Sequence, residues 1–264
     1  MKILAIETSC DETSVAVVED GHRVLSLVVN SQIDIHRAFG GVVPEIAARS
    51  HLEVMLPVVT QALEEAFPSV ANDKQSTIND YWNQIDAIAV TQGPGLLGAL
   101  LIGVLTARTL AWSLNKPLYP VQHILGHVYA NWLDEGPVYS TPYPTSAPEF
   151  PILALIVSGN HCQLMIGKSH SEWEVIGRTA DDAVGEAFDK AAKVLGLPYP
   201  GGPSIATTAT NGDSTTYSLP LPKADPYGFS FSGLKTALLR SVQKECGKTY
   251  EFPYFKLAEL LTDA

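Results

Sequence analysis

Apolar and polar residues alternate along KILAIETS, SVAVVED and RVLSLVVNS near the start of the chain. A period of two predicts three β-strands, each with one face toward a core. Asp20 and Gly21 fall between the second and third runs and predict a tight turn. From about Pro44 to Phe67 the pattern changes to a helical one, with Pro57 expected to kink the helix. DAIAVTQ then reads as a buried strand, GPGLLGALLIGVLTARTLAW as a glycine-rich turn into an apolar helix, and LYPVQ as a short strand. The second part of the chain repeats the opening. FPILALIVSG, HCQLMIGKS and WEVIGRT are again strand-like, and the helical pattern DDAVGEAFDKAAKVLG follows. ILAI at residues 3–6 and ILAL at 152–155 hold equivalent places. Three strands and then a helix, twice over, predict two similar α/β lobes with a ligand cleft between them.

The two parts meet in DEGPVYSTPYPTSAPEFP, where Pro137, Pro142, Pro144, Pro148 and Pro151 oppose regular structure. The expected organisation is an N-terminal lobe over 1–135, a proline-rich crossover over 136–151 and a second lobe over 152–264. VANDKQSTINDYWNQ and TTATNGDSTTYSLPLPKADPYG are polar enough for surface loops, the second long enough to suggest a functional one.

Composition narrows the setting. With 264 residues and 46% hydrophobic content, the chain can build a sizeable core. No uninterrupted apolar run is long enough to span a bilayer, and MKILAIETSCDE meets acidic residues too early for a secretory signal, so a cytoplasmic protein is expected. Cys10, Cys162 and Cys246 lie far apart without a CxxC pair, which argues against a disulfide framework and a thiolate zinc site. A net charge of −11 means that any nucleic-acid substrate needs a local basic patch or a partner that supplies one. Lys235, Arg240, Lys244 and Lys248 recur at mostly four-residue steps, which fits either a solvated helix face or an RNA contact.

Three motifs carry chemistry. GPGLLG, at 93–98, matches the GxGxxG dinucleotide fingerprint, yet NKPLYPVQ stands where the acidic ribose ligand is required. Gly98 and Gly103 are better explained by close helix packing. The turn IETSCDET, with Ser9, Cys10, Asp11, Glu12 and Thr13, offers N–H groups and hydroxyls of the kind that cradle a phosphate, and IVSGNHCQ offers Ser158, Gly159, Asn160 and His161 at the equivalent place. Taken singly, each also suits an ordinary hairpin turn. In HILGH, His123 and His127 stand at the i, i+4 spacing that lets two imidazoles share one ion, or they are two histidines on a helix surface. Ile124 occupies the position of the HExxH general base, so peptide hydrolysis is poorly supported.

Taken together, IETSCDETSVAVV, GGVVPEIAARSH, HxxGH, IVSGNH, DDAVGEAFDKAAKVLGLPYPGGPSIA and FSFSGLKTA resemble the tRNA N6-adenosine threonylcarbamoyltransferase family, once described as glycoproteases. The motifs run from Ile6 to Ala237 in the family's order, and GEAFDK…YPGGP is highly specific. The resemblance implies a mixed α/β fold of duplicated actin-like lobes, akin to sugar kinases and Hsp70, with an inter-lobe cleft and an incomplete second lobe. It implies transfer of a threonylcarbamoyl group from threonylcarbamoyl-AMP to N6 of the adenosine next to the anticodon in tRNAs reading ANN codons. His123 and His127 match the family's metal ligands, with Fe2+ the usual ion and zinc an alternative. Ile156, Val157, Ser158, Gly159, Asn160, Asp189 and Gly202 match its substrate contacts. Pattern alone leaves Asp189 in an exposed helical pair with Lys193, beside Glu186 with Lys190. Implied partners are tRNA, a related inactive paralogue and a small ATPase.

Two departures stand out. The turn reads SGNHC where the family has SGGHT, so Asn160 adds a side chain where backbone approaches ligand. The family's later substrate-contacting Asn and the Asp that completes its metal site have no match within these 264 residues. Weak metal binding through two histidines is therefore expected, and no catalytic base is assigned, although Asp11 is a candidate for orienting the incoming amine. The rival readings are an actin-like ATP-dependent phosphotransferase and a non-catalytic partner-binding module.

Overall fold

The computed structural model describes residues 1–39, 41–134, 148–159, 161–222, 224 and 226–246. It divides into two units, Met1–Pro148 and Glu149–Ala264. Most of the proline-rich crossover lies outside the described residues.

In the first unit, strands β1 (Lys2–Glu7), β2 (Glu12–Glu19), β3 (Arg23–Ser31), β4 (Ala87–Gly93) and β5 (Leu118–Gln122) form one sheet in the order β3-β2-β1-β4-β5. The first three make an antiparallel meander, and β1 then pairs in parallel with β4, and β4 with β5. The mixed α/β class is the one the family resemblance implies. The helices of this unit are α1 (Ile33–Arg37), α2 (Pro44–Ala66), α3 (Pro68–Ala71), α4 (Ile78–Trp82), α5 (Leu97–Ser113) and α6 (His123–Tyr129).

Alternation decides which face is dry. Leu4, Ile6, Val15 and Val17 point to one side of β1 and β2, where they join Met55, Val59, Ala62 and Leu63 of α2, Ile88 and Val90 of β4 and Ala107 of α5 in one core. Each such side chain taken fully out of water contributes roughly 1.5–3 kcal/mol. α2 continues through Pro57. Proline supplies no N–H to the carbonyl of Glu53. Both residues lie on the exposed side of the helix, where water can meet that carbonyl.

The second unit opens with an antiparallel sheet, β6 (Ile152–Val157), β7 (Cys162–Ser169) and β8 (Glu172–Arg178), which reproduces the β1-β2-β3 meander. Helices α7 (Val184–Val194), α8 (Gly201–Ala209) and α9 (Ser232–Cys246) follow, and Ala191, Ala192, Leu195, Ile205, Leu238 and Val242 form their shared core. Among the described residues β6 has a strand on one side only, whereas its counterpart β1 is paired on both. Leu153, Leu155 and Val157 share one face of β6 and are exposed, at 64%, 56% and 55%. Among the described residues, no helix is long and apolar enough to cross a membrane.

Candidate functional site

The turn between β1 and β2 is held by its carbonyls. Ser9 O accepts the Leu96 N–H at 2.7 Å, Cys10 O faces His51 Nε2 at 3.0 Å, and Asp11 O accepts the Gln32 N–H at 2.9 Å. Two glycines let α5 come this close. A Cβ on Gly95 would stand 2.6 Å from Ser9 O, and one on Gly103 would stand 2.3 Å from Thr8 Oγ1, while Gly98 faces Ala48 of α2. The GPGLLG run thus packs against the turn and α2, in line with the packing role read from its glycines. Burial, followed by the neighbouring Asp11, pushes the Cys10 thiol up to about 12, so no thiolate is available there near neutral pH.

His123 opens α6 and His127 stands one turn later, so both rings project from the same side of a short helix. Their Nε2 atoms are 3.1 Å apart and the rings meet edge to face. Behind them lies Glu7, the last residue of β1. Its Oε2 is 3.3 Å from His123 Nδ1, and Ser9 Oγ is 3.2 Å from the same nitrogen. Burial would raise the Glu7 carboxyl, but hydrogen bonds from His123, Ser9 and Thr91 outweigh it and bring the group down to about 2. The group is therefore a carboxylate at neutral pH. Burial and then the adjacent His123 ring hold His127 below its ordinary value, which favours its neutral form.

Two Nε2 atoms on one tetrahedral ion, each about 2.0–2.1 Å from it, lie about 3.3 Å apart. The observed separation fits. Among the described residues, no group of three or more His, Cys, Asp or Glu side chains converges to hold a metal ion. The histidine pair accordingly stands as two adjacent imidazoles backed by a carboxylate.

The second unit gathers most of the other expected contacts along α7. Ile156 is buried and Val157 exposed at the end of β6. Ser158 closes the following turn, its backbone N–H donating to His161 O at 2.9 Å and its Oγ accepting the His161 N–H at 3.1 Å. The first N–H groups of α7 dock on this turn: Gly185 N–H donates to Ser158 O at 3.2 Å, and Glu186 N–H to Gly159 O at 3.0 Å. A Cβ on Gly185 would meet Gly159 Cα at 2.6 Å. Four residues on, Asp189 Oδ1 accepts the Gly201 N–H at 2.7 Å and so caps α8. Asp189 and Gly202 are thus neighbours, and a Cβ on Gly202 would meet nothing within 4 Å. Asn160 lies outside the described residues.

The family model described as TsaD, tRNA N6-adenosine threonylcarbamoyltransferase, matches residues 23–261. The chain belongs to this family. Curated relatives bearing that name are 51% identical over 245 residues in Symbiobacterium thermophilum, 51% over 247 in Thermomicrobium roseum and 50% over 242 in Staphylococcus saprophyticus. These matches cover 92%, 92% and 91% of this chain but 65%, 63% and 64% of the relatives, so the chain spans less than two thirds of their length.

Within the threonylcarbamoyltransferase motifs, the sequence reading overlooked Glu7 and His51. An acidic residue ending the apolar run KILAI was the available signal for the first. For His51, which is fully buried on α2, no local signal existed. The basic row also differs from expectation. Lys235 turns inward to pair with Asp182, which also holds Lys190 at 2.9 Å, leaving Arg240 and Lys244 exposed one turn apart. Lys248 lies outside the described residues.

Proposed function

We propose that the chain serves the family reaction, moving a threonylcarbamoyl group from threonylcarbamoyl-AMP to N6 of the adenosine beside the anticodon of tRNAs that read ANN codons. Family membership together with the His123–His127 pair backed by Glu7 carries this reading. An ATP-dependent phosphotransferase has no need of paired, carboxylate-backed imidazoles. The reaction is acyl transfer at the carbamoyl carbon, with attack by the N6 amine and departure of AMP. Fe2+, or zinc, held on the two Nε2 atoms would offset negative charge on the phosphate or carbamoyl oxygens. The chain's own residues supply position. In the first unit the clamped Ser9–Thr13 turn offers backbone and hydroxyl groups to the substrate, with Asp11 orienting the incoming amine; in the second unit the Ser158–Gly159 turn, Asp189 and Gly202 are the family-matched substrate contacts.

This cytoplasmic protein works with partners on the same reading. Leu97, Leu101, Leu105 and Trp112 are 85%, 51%, 48% and 86% exposed on α5, and Leu52 and Leu56 of α2 are each 66% exposed. Exposed apolar side chains on two helices that pack together suit a docking face for a related inactive paralogue, with a small ATPase completing the assembly. The net charge of −11 favours shared tRNA binding over binding by this chain alone. The test combines the chain with threonine, bicarbonate, ATP, the synthase that makes the AMP intermediate, both partners and unmodified tRNA. Nucleoside analysis should reveal threonylcarbamoyladenosine. Phosphorylation of a small acid or sugar in its place would refute the assignment.

A further inference from the structure

The atoms around His123 raise a question that its partnership with His127 does not answer: which of its two nitrogens carries the proton. Glu7 faces one side of the ring. Its Oε1 accepts the Ser9 backbone N–H, and its Oε2 lies 3.3 Å from His123 Nδ1. A carboxylate can only accept, so a bare Nδ1 would set two lone pairs against each other, while Nδ1–H makes a charge-assisted hydrogen bond. Ser9 Oγ, 3.2 Å from the same Nδ1, is compatible because a hydroxyl can also accept. With the proton on Nδ1, the lone pair resides on Nε2, which is directed at His127 Nε2 3.1 Å away.

We infer that Glu7 is a positioning residue: it takes the Nδ1 proton of His123 in a hydrogen bond, fixes that tautomer and leaves the Nε2 lone pair facing His127. Glu7 acts through the ring and touches no reacting atom. A carboxylate behind an imidazole also raises the basicity of the far nitrogen, an arrangement that tunes metal-bound histidines. The inference rests on the proposed reading of the pair only for its consequence, that His123 is then ready to ligate a cation through Nε2.

The isosteric variant Glu7→Gln makes an inverse prediction. Its carbonyl oxygen can retain the Ser9 N–H, which places the NH2 group where Oε2 had been, toward His123 Nδ1. A donor there requires Nδ1 to accept, so the proton moves to Nε2 and the lone pair facing His127 is lost. Glu7→Asp keeps the charge on a shorter arm and should restore part of the original state, which a merely space-filling role would not produce.

Nitrogen NMR of the metal-free chain at about pH 8, above the ordinary histidine value of about 6.5, reads the tautomer directly. His123 should be protonated on Nδ1 in the unmodified chain and in Glu7→Asp, and on Nε2 in Glu7→Gln. Competition with a chromophoric chelator for Zn2+ should show 10–100-fold weaker binding in Glu7→Gln, about the usual effect of losing such a partner. An Nε2–H tautomer in the unmodified chain, or an unchanged tautomer in Glu7→Gln, overturns the inference. If the tautomer switches as stated but no variant competes for Zn2+, Glu7 keeps its role and the reading of the pair as metal ligands fails.

Discussion

Replacing His51 with leucine would remove an imidazole that has no access to solvent and spans two segments of the candidate nucleotide turn. His51 Nε2 faces the Cys10 carbonyl at 3.0 Å, so Nε2 must carry the hydrogen. Nδ1 is then an acceptor, placed 2.7 Å from Thr13 Oγ1 and 3.4 Å from Gln32 Nε2. The network continues, for Gln32 Oε1 accepts from His36 Nε2 at 3.1 Å, and His36 Nδ1 accepts the Val43 N–H at 3.3 Å. Thr13, Gln32, His36 and His51 are each 0% exposed. Leucine strands the Thr13 hydroxyl and removes the ring's hydrogen bond to the Cys10 carbonyl, while the Gln32 amide still reaches Ala47 O. At about 1–3 kcal/mol for the buried hydroxyl left unpaired and about 0.5–1.5 kcal/mol for the other hydrogen bond, the loss should be about 1.5–4.5 kcal/mol. That is a large part of the roughly 5–15 kcal/mol that holds a typical domain folded.

Urea unfolding, with hydrogen exchange read in β1–β3, measures this loss. His51→Gln, which brings both a donor and an acceptor, should lose less than His51→Leu. A pH series supplies an independent check. Burial holds His51 below its ordinary value, opposed by its hydrogen bond to Cys10 O and by the charges of Glu7 and Asp11. The unfolded chain therefore binds a proton near pH 6.5 that the native ring resists. The contribution of His51 is complete above about pH 6.5 and is lost as the pH falls below it, so stability rises with pH across that window. Leucine should abolish this component. A loss under about 1 kcal/mol, or a pH slope unchanged in His51→Leu, would refute the proton assignment and the clamp built on it.

Two further substitutions probe how the turns are held. Gly103→Ala would set a Cβ 2.3 Å from Thr8 Oγ1, and the clash should destabilise by about 1–3 kcal/mol in thermal unfolding despite alanine's better helix propensity. Asp181 accepts hydrogen bonds from Ser230 Oγ and the Phe231 and Ser232 N–H groups, which outweigh burial and hold its carboxyl well below the usual range. Asp181→Asn should loosen the start of α9 at a cost of about 1 kcal/mol or less at this exposed site, and the stabilisation should fade in the unmodified chain as the pH falls through the ordinary aspartate value of about 3.9.

The parts legible in sequence were those in which one segment states its own structure. Alternation in KILAIE and ETSVAVVE reports a buried face because each strand meets the core on one side only. The i, i+4 spacing of His123 and His127 needs no partner to bring the rings together. Repetition of the meander was visible because ILAI and ILAL both begin a strand that leads into a polar turn.

Other features depend on contacts that span the chain. Glu7 reaches His123 across 116 positions, His51 reaches Cys10 across 41, and Asp181 caps a helix 50 positions later. No local period encodes such meetings. The Asp189 pairing shows how a local rule loses to a distant one. An i, i+4 pair with Lys193 would gain about 0.2–0.5 kcal/mol, whereas accepting a helix N-terminal N–H is worth about 1 kcal/mol, and Gly201 lacks the side chain that would keep α8 from approaching. With a Cβ there only 2.6 Å from Asp189 Cα, the glycine is what allows the carboxylate to serve α8. The YPGGP motif and the GEAFDK helix are therefore one structural device: the first glycine permits the contact, the aspartate makes it, and the space beside the second glycine stays open.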